Sequence, residues 1–215
     1  MQPVTEAETT IIVVRHGQTK WNCELRFQGQ SDSPLSELGE CQARTLGERL
    51  AALNIEALYS SDLGRALRTA QLIAAATRHE VIVDQRLRER NFGIFEGLTI
   101  EEIEERHPEV LALWRTRDPQ YAIPGGENAE GIYKRVVACF NDLADRHRGK
   151  TVAAVSHGLA LDAFYRHVAR IPLTAPRTLK LLNASLNTFY RSGEGWRLGT
   201  LSDVAHLAPS AVTPA

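Results

Sequence analysis

Ile11-Ile12-Val13-Val14 is an unbroken β-branched run, and Thr151-Val152-Ala153-Ala154-Val155 is a second apolar run of the same kind. Runs without polar alternation predict strands covered on both faces, as in a parallel sheet flanked by helices. Between them the period changes. Ser36 to Leu53 carries Ala43, Leu46, Leu50 and Leu53 at near-helical spacing behind a serine cap, and Asp62 to Thr77 carries Ala66, Ala70, Ile73 and Ala74 on one face. Short strand-like segments, Ala57-Leu58-Tyr59 and Val81-Ile82-Val83, follow these two helices in turn. The alternation predicts an α/β fold, a three-layer α/β/α sandwich around a mostly parallel sheet.

Downstream, Thr99-Ile100-Glu101-Glu102 fits a capping box for a short helix ending near His107-Pro108. A Pro124-Gly125-Gly126 loop then precedes a helix over Asn128 to Arg146, so residues 90–130 read as a helical insertion beside the sheet. Leu186 to Tyr190 and Trp196 to Leu201, joined through Ser192-Gly193-Glu194-Gly195, predict a hairpin that adds an antiparallel edge. The tail from Ala208 to Ala215 is expected to fray.

Composition narrows the function classes. With 215 residues, 43% hydrophobic and 24% charged, the chain fits one domain over 1–215, and neither disorder nor a membrane protein is expected. Lysine plus arginine number 25 against 26 acids, so no global field favours nucleic acid and any anion must be held by a local cluster. The polar start, Met1 to Thr10, lacks the apolar core of a signal peptide, which predicts a cytoplasmic location. Cys23, Cys41 and Cys139 are scattered without metal or disulfide spacing and are expected to be free, reduced and mostly buried.

The two apolar runs end in Arg15-His16-Gly17 and Ser156-His157-Gly158, which puts two histidines at the carboxyl rim of the sheet, where ligands of open α/β sheets sit. Ser61-Asp62-Leu63-Gly64-Arg65 and Arg88-Glu89-Arg90 follow the other two strands. Two arginines and two histidines in one pocket would hold an anion, with a carboxylate as acid or base. Taken singly, each piece has a plainer reading: a hydrogen-bonded structural histidine, a solvated arginine, a salt-bridged surface run from Arg86 to Arg90.

Arg15-His16-Gly17-Gln18-Thr19-x-Trp21-Asn22 resembles the R-H-G-[EQ]-[ST]-x-W-N signature of the histidine phosphatase superfamily, in its phosphoglycerate mutase-like branch. The resemblance continues in family order through Arg26-Phe27-Gln28-Gly29, Ser31 to Leu38, Ser60 to Arg65, Leu87-Arg88-Glu89, Phe92-Gly93, Glu96-Gly97 and Val155 to Gly158. It implies that His16 is the nucleophile, its second ring nitrogen bonded to a backbone carbonyl, and that Arg15, Arg65 and His157 grip the phosphoryl oxygens. Asn22, Gln28, Gly29 and Gly158 would complete the substrate-binding wall, and Glu89 would act as acid and then as base. It implies no metal and no cofactor, and relatives of this kind are often homodimers. Asp62 is expected to cap the helix that presents Arg65, and Cys23 to be a small packing residue.

Glycolytic mutases of this branch carry a tyrosine and a lysine where this chain has Phe92 and Ile100, and an asparagine where it has Leu159; Arg115-Thr116-Arg117 keeps only part of their arginine clamp. Phe95-Glu96-Gly97-Leu98-Thr99 and the short insertion resemble the broad phosphatase branch instead. The expected function is therefore phosphomonoester hydrolysis through a phosphohistidine, on a small phosphorylated metabolite chosen by the insertion near Trp114 and Tyr121. A phosphoglycerate mutase is the alternative, and an inactive phospho-ligand-binding scaffold is the alternative of another class.

Overall fold

A computed structural model describes residues 8–213. Its centre is a six-stranded sheet in the order β3-β2-β4-β1-β5-β6. The strands are β1 (Thr9–Arg15), β2 (Ala57–Ser60), β3 (Val81–Val83), β4 (Thr151–Ser156), β5 (Leu186–Ser192) and β6 (Gly195–Leu198). β1 to β4 are mutually parallel, and β5 and β6 form the antiparallel edge.

The period-2 alternation of the apolar runs divides them between two cores. Ile11, Val13, Val152 and Ala154 face α6 (Ala129–Arg146) and α7 (Gly158–Ala169), packing on Phe140, Leu143 and Phe164. Ile12, Val14, Ala153 and Val155 face α2 (Glu37–Ala51) and α3 (Gly64–Thr77), packing on Leu46, Leu50, Ala70 and Ile73. The three-layer α/β/α sandwich read from the sequence is what this produces. A third cluster, Phe92, Phe95, Ile103, Leu111 and Ile123, holds together residues 92–123 with α4 (Ile100–Arg106) and α5 (Pro108–Arg115). The remaining helix, α1 (Lys20–Cys23), is a single turn.

The structure departs from the sequence reading at several places. α3 begins at Gly64 with Leu63 at the N-cap and no side-chain cap, so Asp62 does not cap it. Asp62 accepts instead from Arg88 Nε at 2.7 Å, while Asp32 Oδ1, from a distant loop, accepts from the Arg65 amide at 3.2 Å. Asp32 fills the space at the helix entrance: a Cβ on Gly64 would lie 2.0 Å from its Oδ2. His107-Pro108 ends α4 but also opens α5, because proline at the first helical position needs no N–H partner. Cys139 is buried, and burial beside Asp84 pushes its thiol up to about 12. Cys23 and Cys41 are exposed, so the expectation of buried cysteines fails for both and Cys23 is not a packing residue. The tail does not fray through Thr213, since Gln42 on α2 donates to the Ala211 carbonyl at 2.7 Å and to Thr213 Oγ1 at 3.2 Å. Pro214, Ala215 and the start of the polar N-terminal segment, residues 1–7, lie outside the described residues.

Candidate active site

Parallel pairing of β1 with β4 aligns Arg15 with Ser156, and the His16 amide then donates to the Ser156 carbonyl at 3.1 Å. The next residues on the two strands, His16 and His157, consequently lie side by side, with ring centroids 5.2 Å apart. Both rings are buried. His16 Nδ1 donates to the Gly17 carbonyl at 2.8 Å, which leaves Nε2 with the lone pair. Ser61, at the end of β2, places its Oγ 2.9 Å from His157 Nε2 and accepts from the Leu63 amide; with the hydroxyl donating to Nε2, the ring proton of His157 sits on Nδ1.

Arg65 lies on the first turn of α3, buried, with Nη2 donating to the Gly29 carbonyl at 2.7 Å and Nη1 to the Ser31 carbonyl at 2.9 Å. Arg15 donates through Nη1 to the Leu181 carbonyl. Arg15 Nε, Arg65 Nε and His157 Nδ1 are buried and have no hydrogen-bond partner among the described residues. Burying a donor without a partner costs about 1–3 kcal/mol, more for a charged group. Arg65 and Arg15, whose charges act on His16, and His157, whose ring adjoins it, thus offer three unpartnered nitrogens that a tetrahedral oxyanion would satisfy.

Glu89 is buried on the same rim. Its Oε1 accepts from the Arg90 amide at 2.7 Å and its Oε2 from the Leu159 amide at 3.0 Å. Gly158 opens α7 at the corner between the charges: a Cβ there would stand 3.6 Å from Arg15 Nε and 3.7 Å from Glu89 Oε2. On the opposite wall, Gln28 Oε1 lies 3.0 Å from Thr19 Oγ1. Asn22 closes a capping box on α1, and its Oδ1 accepts from the Thr19 amide, which turns its Nδ2 into the free end. Gly29 adopts φ 57°, and a Cβ there would fall 2.0 Å from Glu96 Oε1. His16, His157, Arg15, Glu89 and Gly158 thus lie at the carboxyl end of the parallel strands, with Arg65 tied to Gly29 and Asn22 joined to the His16 carbonyl through Asn183.

Electrostatics suits a nucleophilic imidazole. Burial, then the charges of Arg65 and Arg15, holds His16 well below the usual histidine range, so it is neutral at pH 7. Burial and Arg65 do the same to His157. Burial pushes Arg15 down to about 10, against the opposing pull of Glu89, and still leaves it charged. Among the described residues no group of three or more His, Cys, Asp or Glu side chains could hold a metal ion.

Three supporting residues were not identified from the sequence. Glu96 accepts from the amides of Gln30 and Ser31 at 2.8 and 2.7 Å, and so fixes the loop whose carbonyls hold Arg65. Arg135 on α6 donates to the carbonyls of Arg88 and Glu89 at 2.7 and 2.8 Å. Asn183, fully buried, donates to the His16 carbonyl at 3.1 Å. Glu96 stood inside the Glu96-Gly97 match; nothing local to Arg135 or Asn183 signals a contact with residues so far away in the chain.

The family model of the histidine phosphatase superfamily, branch 1, matches residues 11–204. The chain belongs to that superfamily. A Salmonella choleraesuis protein named probable phosphoglycerate mutase GpmB is 39% identical over 208 residues, covering 92% of this chain and 94% of that protein. Among solved structures, Bacillus stearothermophilus YhfR is 35% identical with a TM-score of 0.84, over 92% of this chain and 98% of that one. A mycobacterial glucosyl-3-phosphoglycerate phosphatase, in complex with VO3, is 31% identical with a TM-score of 0.80, over 90% and 98% of the two chains. The superfamily member described here is accordingly an enzyme of the phosphatase or mutase class. None of its helices, among the described residues, is long and apolar enough to cross a membrane.

Proposed function

We propose that this superfamily member is a phosphomonoester hydrolase that works through a phosphohistidine on His16. The observation that carries the reading is the trio of partnerless buried nitrogens, Arg15 Nε, Arg65 Nε and His157 Nδ1, beside a neutral His16. In the first step His16 Nε2 attacks phosphorus, the P–O bond to the leaving group breaks, and protonated Glu89 gives its proton to the departing oxygen. In the second, water attacks phosphorus, Glu89 takes its proton, the N–P bond breaks and phosphate leaves. Arg15, Arg65 and His157 hold the equatorial oxygens throughout, with Asn22, Gln28, Gly29 and Gly158 lining the wall, so neither step needs a metal ion.

Hydrolysis is favoured over mutase action because Phe92, Ile100 and Leu159 stand where glycolytic mutases carry a tyrosine, a lysine and an asparagine. On the same reading the whole chain acts as one domain, in the cytoplasm, on a small metabolite rather than on nucleic acid or a membrane, and sedimentation tests for a homodimer. The deciding experiment is kcat/KM over a phosphomonoester panel beside a mutase assay primed with a bisphosphoglycerate, for the wild type and His16→Ala. Release of inorganic phosphate, an acid-labile phosphoryl group on His16, and a loss of several powers of ten in His16→Ala are expected, unchanged by EDTA. Priming-dependent isomerisation that outpaces phosphate release would overturn the hydrolase reading.

A further inference from the structure

Beside Glu89 the insertion and α7 enclose a cleft of roughly 370 Å³, walled by Trp114, Tyr121 and Leu159 and rimmed by Arg115, Arg117 and Arg177. It adjoins the phosphoryl site: the Leu159 amide donates to Glu89 Oε2 at 3.0 Å, and the charge of Arg177 acts on Arg15. A leaving group that extends from the phosphoryl site past Glu89 would enter it.

Asp162 lines this cleft, 6% exposed, on the turn of α7 that follows Gly158. Positions i and i+4 share a helix face about 6 Å apart, so Asp162 sits one turn of α7 from Gly158, whose Cβ position lies 3.6 Å from Arg15 Nε and 3.7 Å from Glu89 Oε2. Its Oδ2 accepts from Arg166 Nε at 2.7 Å. Its Oδ1 is buried and has no partner among the described residues. A partnerless carboxylate oxygen in a cleft rimmed by arginines is an acceptor waiting for a donor that the protein does not supply.

Resting on the hydrolase reading above, we propose that Asp162 Oδ1 is a specificity-determining acceptor for an O–H or N–H on the leaving group. The substrate class is a small phosphomonoester bearing such a donor within a few bonds of the ester oxygen, together with an anionic group that meets Arg115, Arg117 and Arg177. An apolar leaving group leaves the acceptor unpaired, and sites of this kind discriminate strongly against analogues that lack the donor.

The test compares O-phosphoserine and 3-phosphoglycerate, which carry an ammonium or a hydroxyl, with 3-phosphonooxypropionate, which keeps the carboxylate and lacks both. In the wild type, kcat/KM for the better donor-bearing ester should exceed that of the donorless one at least about tenfold. Asp162→Asn replaces the acceptor by a donor while its remaining oxygen can still receive Arg166, and should abolish that ratio through the donor-bearing ester alone. Arg166→Lys, which disturbs the ion pair and keeps Oδ1, should preserve the ratio. A wild-type ratio near one, a measurement that involves no variant, overturns the proposal, as does an Asp162→Asn loss shared equally by all three esters. p-Nitrophenyl phosphate separates the two readings: if the wild type cleaves it while the ratio is near one, only the role of Asp162 falls; if it cleaves none of the four, hydrolase and acceptor fall together.

Discussion

Glu96→Gln tests whether a carboxylate outside the reacting centre sets the position of Arg65. Glu96 Oε1 accepts from the amides of Gln30 at 2.8 Å and Phe92 at 2.9 Å, and Oε2 from the amide and hydroxyl of Ser31 at 2.7 and 2.6 Å. A glutamine keeps one acceptor oxygen; when that oxygen faces the Gln30 and Phe92 amides, the NH2 meets the Ser31 amide while the Ser31 hydroxyl turns to accept from it. One hydrogen bond to a charged acceptor, about 1.5–3 kcal/mol, is lost outright, and the others fall from charged to neutral strength. A net cost of about 3 kcal/mol to the conformation of residues 29–31 follows, and with it disengagement of the Gly29 and Ser31 carbonyls from Arg65. If Arg65 is needed in place to hold the phosphoryl oxygens, kcat/KM should fall about a hundredfold, since each 1.36 kcal/mol is a factor of ten. Vanadate affinity, read by inhibition, should weaken in parallel, and the melting temperature should drop by no more than about 6–12 °C. A variant that kept both kcat/KM and vanadate affinity within threefold of wild type would refute the claim that Glu96 positions Arg65.

Arg135→Met removes the donor that holds the Arg88 and Glu89 carbonyls, so kcat for alkyl phosphates should fall more than KM changes, while p-nitrophenyl phosphate, whose leaving group needs little protonation, should be affected less. Gly158→Ala places a methyl 3.3 Å from Leu181 Cδ1 and between Arg15 Nε and Glu89 Oε2, and steady-state kinetics should show at least a tenfold loss in kcat/KM with the fold retained by circular dichroism. Stability should depend on pH through the two buried histidines, whose native values lie well below the unfolded value of about 6.5. Above that pH both states hold them neutral; as pH falls through about 6.5 the unfolded chain binds protons that the native one does not, and stability declines by up to about 2.7 kcal/mol per pH unit until the native values are reached. Urea titrations between pH 8 and 5 should show this slope flattened in the His16→Asn/His157→Asn double variant; equal slopes would contradict it.

What could be read in advance was whatever is written locally. The apolar runs with their terminal histidines, the Thr99 capping box and the Asn128 helix start all depend on neighbours within a few positions, and each stands where its pattern puts it. The residues that turn those pieces into a site are tied over long separations. Asp62 offers the right side chain at the right place for a cap, yet Arg88 takes it and Asp32 supplies the bond to the Arg65 amide. Gln42 lies on α2, and its partners, Ala211 and Thr213, lie in the tail expected to fray. Pro108 shows a different failure: a proline that closes one helix and opens the next gives a single signal for two events.

The position of β1 also governs how the chain reaches its native state. Thr10 lies beside Thr151 on one side and Tyr190 on the other, so β1 finds neither neighbour until about 140 further residues have been made. At about 5–20 residues per second, the interval before β4 can dock is on the order of ten seconds, during which Ile11 to Val14 is an unpaired apolar edge. Non-local pairing of this kind slows folding and exposes the chain to aggregation. Because the same contact brings His16 to His157, activity cannot precede the pairing of β1 with β4, and recovery of turnover after dilution from denaturant is a clock for closure of the central sheet.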